Sequence, residues 1–256
     1  MAIIPKITAV SYLNTIPFVY GLKHADNLRA DLQLAPPADC ALSYIEGRAD
    51  IALLPAAVVP ELRDTNIITD YCIGAVGAVR TVVVMSNEPI SSVRRLWLDA
   101  HSRTSVQLCG YLAKYKWHIE PEWLHMADYS RVDNPQKGDA FLLIGDKVFG
   151  YEGRFAYCYD LAVEWREITS LPFAFAVWVA RKGVPYEVCD ELQHALTFGI
   201  EHTWEAVSES PYMLSDGGIT AYEYLTRNID FILDDEKHRA LKKFWDAGIR
   251  IVPRSY

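Results

Sequence analysis

The sequence predicts an α/β fold, and three observations carry that expectation. Short apolar runs alternate with segments of helical spacing along most of the chain. Several runs, such as "DIALLP" and "RTVVVMS", are apolar at nearly every position, as in strands covered on both faces. With 256 residues, 51% of them hydrophobic, the chain can build one large core or two modest lobes.

Taken in order, "KITAVSY" reads as the first strand. The stretch "VSYLNTIPFVYGL" then passes into a helix beginning near Pro17, a residue suited to a first helical turn. Ser11, Asn14 and Thr15 stand at this handover, where side-chain oxygens either cap the helix or face a ligand beyond the strand's carboxyl end. "ADCALSYIEG" has helical apolar spacing and stops at Gly47. "DIALLP", "RTVVVMS" and "LWLD" follow as strands. "SRTSVQLCGYLAKYK" opens with polar starters and continues with Val106, Cys109, Leu112 and Ala113 at helical spacing.

"AFLLIG" and "FAFAVWVA" complete the strand series, and the C-terminal part is mainly helical, including "YEVCDELQHALTFGIEHTWEAV" and "DDEKHRALKKFWDAG". The aromatic cluster "AYEYLTRNIDF" reads as packing of a late helix, and "SDGG", residues 215–218, as a loop or helix stop. The runs at 80–86 and 173–180 bracket a central segment with its own strands and helix. Two lobes and one continuous sheet both fit this pattern.

The formal net charge of -8 argues against a general nucleic-acid binder, which needs a basic face, but leaves room for an anionic ligand held by local donors. The five cysteines are odd in number and never form CxxC, so they read as buried thiols of a reducing compartment rather than as disulfides or a zinc site. The seven histidines show no HxH or HExxH spacing, and there is no GxGxxG, Walker loop or GxSxG. Neither metal nor nucleotide cofactor is expected. No apolar run approaches the ~20 residues of a membrane span, and Pro5-Lys6 interrupts any signal-peptide core, so the expected residence is cytoplasmic.

Two further motifs hold candidate chemistry. "HSRTS", from His101 to Ser105, places three hydroxyls and an arginine at a helix start, which suits a carboxylate or an over-provided cap. "LIGD" ends a strand with Gly145, where backbone can approach a ligand, and Asp146 beside it; alone, the stretch reads as an ordinary turn.

Together, "VSYLNTIPFVYGL", "EGRADIALLPAA", "YCIGAVGAVRTVVVMS", "LWLDAHSRTSVQL", "LIGD" and "LPFAFAVWVARKG" resemble, in the same order, the chorismate dehydratase family of the futalosine route to menaquinone. The resemblance implies a type II periplasmic-binding-protein-like fold of two α/β lobes joined by two crossover hinge strands. It divides the chain into lobe 1, residues 1–84 plus 178–256, and lobe 2, residues 85–177, closing on a ligand between them. It also implies conversion of chorismate to 3-[(1-carboxyvinyl)oxy]benzoate and water, a carbon–oxygen lyase reaction with chorismate as small-molecule partner and no cofactor, nucleic acid or membrane.

Carried onto this sequence, the family's site comprises Asn14 as the catalytic residue, with Ser11, Thr81, Ser102, Thr104, Ser105, Gly145 and Asp146 binding substrate. Thr81 stands where the family commonly has Ser. The base is either the substrate's own enolpyruvyl carboxylate or Asp146. Two alternatives remain: a cytoplasmic protein that binds or senses a small carboxylate, and the sister enzyme that makes dihydroxynaphthoate. The sister enzyme typically opens with an SxCPNDTF-like stretch, where this chain has SYLNTIPF. Among fold relatives, transport-type binding proteins need export, LysR-type regulators carry an N-terminal helix-turn-helix, and prephenate dehydratase carries a Thr-Arg-Phe stretch that is missing here.

Overall fold

The apolar runs assemble into two mixed sheets. The computed structural model describes residues 4–25, 28–99, 102–126, 128–210 and 219–254. The first sheet begins with β1 (Lys6–Val10), which pairs in parallel with β2 (Asp31–Ala35) and β3 (Ile51–Pro55). Parallel neighbours require crossovers, and α1 (Ile16–His24) and α2 (Pro37–Ile45) supply them. The long β4 (Thr65–Ala75) lies at the other side of this sheet.

The chain then enters a second sheet through β5 (Val82–Ser86) and β6 (Arg95–Asp99), followed by α3 (Thr104–Leu112), β7 (Glu122–Met126) and the short α4 (Ser130–Asp133). β8 (Asp139–Ile144), β9 (Tyr157–Asp160) and α5 (Leu161–Thr169) complete it, in the order β7-β6-β8-β5-β9. β10 (Phe173–Arg181) returns to the first sheet, running antiparallel between β3 and β4. Then come α6 (Tyr186–Glu201), α7 (Thr203–Ser208), α8 (Ala221–Arg227), the edge strand β11 (Asp230–Ile232) and α9 (Asp235–Asp246). The first sheet thus runs β11-β4-β10-β3-β1-β2.

Boundaries at 84/85 and 177/178 would cut β5 and β10 in mid-strand. Each of these strands pairs along its length with one sheet only, β5 with β8 and β9, and β10 with β3 and β4. The chain therefore changes sheet in residues 76–81 and 170–172. A strand's hydrogen-bond ladder resists division more strongly than a loop does, which places the crossings in the connections.

All six strands expected from apolar runs are present; β3, β5 and β8 are buried at every position. The strands that the runs did not reveal have mixed patterns, and four of them, β2, β7, β9 and β11, lie at sheet edges, where one face or one ladder meets water. "AYEYLTRNIDF" divides into α8 and β11 instead of forming one helix. The "SDGG" stretch lies outside the described residues. Helices α1 and α6 meet backbone to backbone: a Cβ on Gly21 would lie 2.0 Å from Ala195 O, and one on Gly199 1.9 Å from Pro17 O. This contact seats α1, and with it the turn before it, firmly on the first lobe.

Candidate functional site

The carboxyl end of β1, the start of α3 and the end of β8 converge on a cavity of about 60 Å³ between the lobes. Tyr12, Asn14, Thr81, Ser102, Ser105 and Gly145 are in its wall, as is Thr104. A larger cavity, about 310 Å³, lies alongside on the first lobe and shares Val10 and Tyr12. Ser11 lines that neighbour and not the interlobe space. The smaller cavity gathers most of the expected polar groups, so it is the candidate site despite its size.

Asn14 belongs to a single 3₁₀ turn, Leu13–Thr15, that leads into α1. Pro17 occupies the first turn of that helix, as expected, but no side chain caps it. Thr15 Oγ1 instead turns back onto Val10 O (2.5 Å) and Tyr12 O (2.7 Å). Asn14 Oδ1 is buried and has no hydrogen-bond partner among the described residues. Such an atom costs about 1–3 kcal/mol in a folded protein, and it does not cap α1.

Behind this wall stands Tyr224 of α8, fully buried. Its hydroxyl lies 2.7 Å from Thr81 Oγ1. Burial pushes the phenol's pKa upward, opposed by the hydrogen bond with Thr81. The ring packs edge-on against Phe149 at 5.4 Å. Sequence reading assigned this aromatic cluster to packing. The packing is present, and no periodicity could disclose the hydroxyl's polar neighbours.

On the second lobe, Ser102 Oγ accepts the backbone N–H of Ser105 at 3.0 Å, as an N-cap oxygen does. The Thr104 hydroxyl donates to Phe175 O at 3.0 Å and accepts from Ala57 N at 3.2 Å, both on the first lobe. Its proton is therefore engaged across the lobe interface. The Ser105 hydroxyl has no partner among the described residues. His101, the first residue of the "HSRTS" stretch, lies outside them.

Gly145 adopts φ +75, and a Cβ there would lie 3.0 Å from the Tyr12 ring, so glycine satisfies both the left-handed backbone and the close approach. Its N–H donates to Thr81 O at 2.9 Å. The next residue, Asp146, receives the Leu13 N–H on both oxygens, at 3.0 and 3.1 Å, and so clasps the two lobes. Desolvation raises its pKa to about 6, against the opposing effects of the Leu13 hydrogen bond and of Lys147. Gly145 is in the cavity wall and Asp146 is not.

Sequence reading also missed Lys147, whose Nζ lies 2.7 Å from Asp99 Oδ2. Tyr129 donates to the same carboxylate at 3.1 Å. This polar cluster tethers the segment after β8 to the end of β6. Asp99 is visible as the polar end of "LWLD", but nothing in spacing pairs it with Lys147.

Among the described residues, no three His, Cys, Asp or Glu side chains are grouped to hold a metal ion, and no helix is long and apolar enough to cross a membrane. The five cysteines are free; Cys40, Cys72 and Cys109 are buried, Cys189 is half-buried and Cys158 is exposed. The expectation of uniformly buried thiols fails at Cys158 because β9 is an edge strand.

Comparison with known proteins bears on the fold and the family. A chorismate dehydratase of Thermus thermophilus is 24% identical over 278 aligned residues, covering 94% of this chain and 98% of that protein. Protein AF1704 from Archaeoglobus fulgidus is 18% identical, with a TM-score of 0.73 over 94% of this chain and 95% of its own. The periplasmic aliphatic sulphonate binding protein SsuA from Escherichia coli is 13% identical, with a TM-score of 0.60 over 97% and 94%. These two likenesses establish a periplasmic-binding-protein-like fold. A family model described as menaquinone biosynthesis matches residues 5–249, and the chain belongs to that family.

Proposed function

We propose that this chain is a chorismate dehydratase, a carbon–oxygen lyase acting in the cytoplasm on the futalosine route to menaquinone. The observation that carries the reading is the buried, partnerless Asn14 Oδ1 in the wall of the same interlobe cavity as the hydroxyl-bearing start of α3. Chorismate loses the proton on the carbon that bears the enolpyruvyl ether and the hydroxyl on the next carbon. The ring becomes aromatic and water leaves, giving 3-[(1-carboxyvinyl)oxy]benzoate. The elimination is redox-neutral overall, so its chemistry requires no electron carrier.

The departing proton is activated through the ring diene by the ring carboxylate. Donors on that carboxylate therefore stabilise charge as it develops. Ser105 Oγ and the first N–H groups of α3 supply them, aided by the positive end of the helix dipole. Thr104 and Ser102 support this turn through the bonds they already make. Thr81 serves Tyr224, and Ser11 faces the adjoining cavity.

Asp146 has both oxygens on Leu13 N–H and stands outside the cavity wall, so the substrate's own enolpyruvyl carboxylate is the better-placed base. Asn14 holds the reacting part in the required geometry, an effect of proximity and orientation. A space of about 60 Å³ is far smaller than the ~300–1,000 Å³ of ordinary small-molecule pockets. The closed lobes must separate to admit chorismate, and Tyr12 stands between this space and the larger one beside it.

The test is incubation of purified protein with chorismate, followed by chromatography and mass analysis for the enolpyruvyl-benzoate. Formation at a rate proportional to enzyme supports the reading. Binding of chorismate without turnover would instead identify a sensing or carrier protein of the same fold.

A further inference from the structure

We infer that Arg103 is a specificity-determining residue whose guanidinium pairs with the ring carboxylate of the substrate dianion and leaves the enolpyruvyl carboxylate free of any cation. The inference rests on the chorismate reading above and extends it to a residue that has no role there.

Among the described residues in the wall of the interlobe cavity, Arg103 alone carries a formal charge. It is exposed, and it stands on the turn that also presents Ser105. Its carbonyl accepts the Gln107 N–H at 3.2 Å, but its guanidinium makes no hydrogen bond or ion pair among the described residues. Arg103 also borders an outer cavity of about 190 Å³, with Glu61 and Arg250 in the same wall. Glu61 is the one acidic side chain in that wall, and Arg250 already pairs with it. The charge of Arg103 is therefore left for an anion from outside the described residues. Its planar fork fits a carboxylate, which takes two parallel N–H donors at once.

Chorismate brings two carboxylates to this one cation, and the chemistry assigns it to one of them. A cation against the enolpyruvyl carboxylate would favour its charged form and weaken it as a base. The ring carboxylate has the opposite requirement. As the proton leaves, charge moves through the diene onto its oxygens, so a cation there stabilises the transition state more than the bound substrate. Position agrees with chemistry: Arg103 shares its turn with Ser105 and the first N–H groups of α3, whereas Asn14 stands on the other lobe. Arg103 thus completes the cradle of the ring carboxylate, and the base stays unpaired.

The test measures binding by calorimetry, which needs no turnover, to wild type, Arg103→Gln and Arg103→Lys. The ligands are 3-[(1-carboxyvinyl)oxy]benzoate and its two mono-amides, one made at the ring carboxylate and one at the enolpyruvyl carboxylate. Arg103→Gln should weaken the dicarboxylate and the enolpyruvyl amide by about tenfold, while the ring amide changes by no more than about twofold. The same variant should lower kcat/KM for chorismate by about 30-fold or more, with an unchanged melting curve. Arg103→Lys keeps the charge without the fork and should recover part of each loss. Equal weakening of both amides, weakening of the ring amide alone, or no weakening of any ligand would overturn the inference while leaving the reaction intact. Absence of chorismate turnover by the wild type would instead overturn the proposed function, and the contrast between the two amides would still decide whether Arg103 holds the ring carboxylate.

Discussion

The turns at residues 11–15 and 102–105 look alike in sequence: each places several hydroxyl or amide side chains where a strand hands over to a helix. Their hydrogen bonds separate them. In the second turn Ser102 caps Ser105, and Thr104 bridges Ala57 and Phe175 across the lobes. In the first, α1 has no side-chain cap among the described residues, and none of them satisfies the buried oxygen of Asn14. One turn spends its polarity on bonds within the fold, and the other leaves one buried oxygen unused by the described residues. Polar composition at a helix start therefore says little until each donor and acceptor has been followed to its partner.

The sharpest break in this comparison is at Asn14. Asn14→Ala should leave the fold in place yet lower kcat/KM by about 100-fold or more, the usual scale for loss of a placed polar group in a reacting site. Asn14→Asp should be comparably slow and should bind chorismate more weakly than the Ala variant, because a new negative charge meets a dianion in a cleft of reduced dielectric. A faster Asp variant would reveal a general base and remove the distinction between the two turns. Steady-state kinetics on both variants decide this.

Thr104→Val should give the opposite signature. It leaves Phe175 O and Ala57 N without their partner, at roughly 2 kcal/mol of stability, which for a chain of this length is a fall of several degrees in Tm. Its kcat/KM should drop less than that of Asn14→Ala. Loss of activity with an unchanged melting curve would move Thr104 into the reacting site.

Ser105→Ala should have a smaller effect, raising KM by about five- to tenfold, close to the net value of one ordinary hydrogen bond. Its Tm should change little, since the hydroxyl has no partner among the described residues. A destabilised variant with normal KM would place Ser105 with the cap instead of with the carboxylate.

Most of the fold is legible in the sequence because the central strands are apolar on both faces and burial is what periodicity records. The edge strands escaped because half of each meets water, and the bounds that the resemblance implied fall inside β5 and β10 because a likeness of motifs does not register which sheet a strand joins. The polar surround of the cavity was legible at Asn14, Ser105 and Gly145, which the motifs singled out and the structure gathers in its wall. It was illegible at Tyr224, which lies 210 positions from Asn14 in a helix whose aromatic pattern matches ordinary packing. Asp146 shows the limit from the other side. The motif was correctly noticed, but its carboxylate clasps Leu13 and leaves the cavity wall to its glycine neighbour.

That clasp gives the smallest expected effect and a defined pH dependence. Folding raises the Asp146 pKa from 3.8 to about 6, chiefly because burial disfavours the charge. The native state thus holds this proton more tightly than the unfolded chain. The stability it contributes is complete below pH ~4 and is lost as pH rises through ~6. Asp146→Asn removes the titration while its amide oxygen still accepts from Leu13 N–H. Measured against wild type by urea unfolding, the variant should be about 1 kcal/mol more stable at pH 7.5, after allowance for partial exposure, and the gap should close or reverse near pH 4. Turnover should stay within about threefold of wild type, whereas loss of a general base would cost about 100-fold or more. A large loss of kcat at constant stability would make Asp146 the base and shift catalysis onto the second lobe. Near-normal kinetics with the altered pH profile would leave proton abstraction to the substrate's own carboxylate, held in place from the Asn14 side.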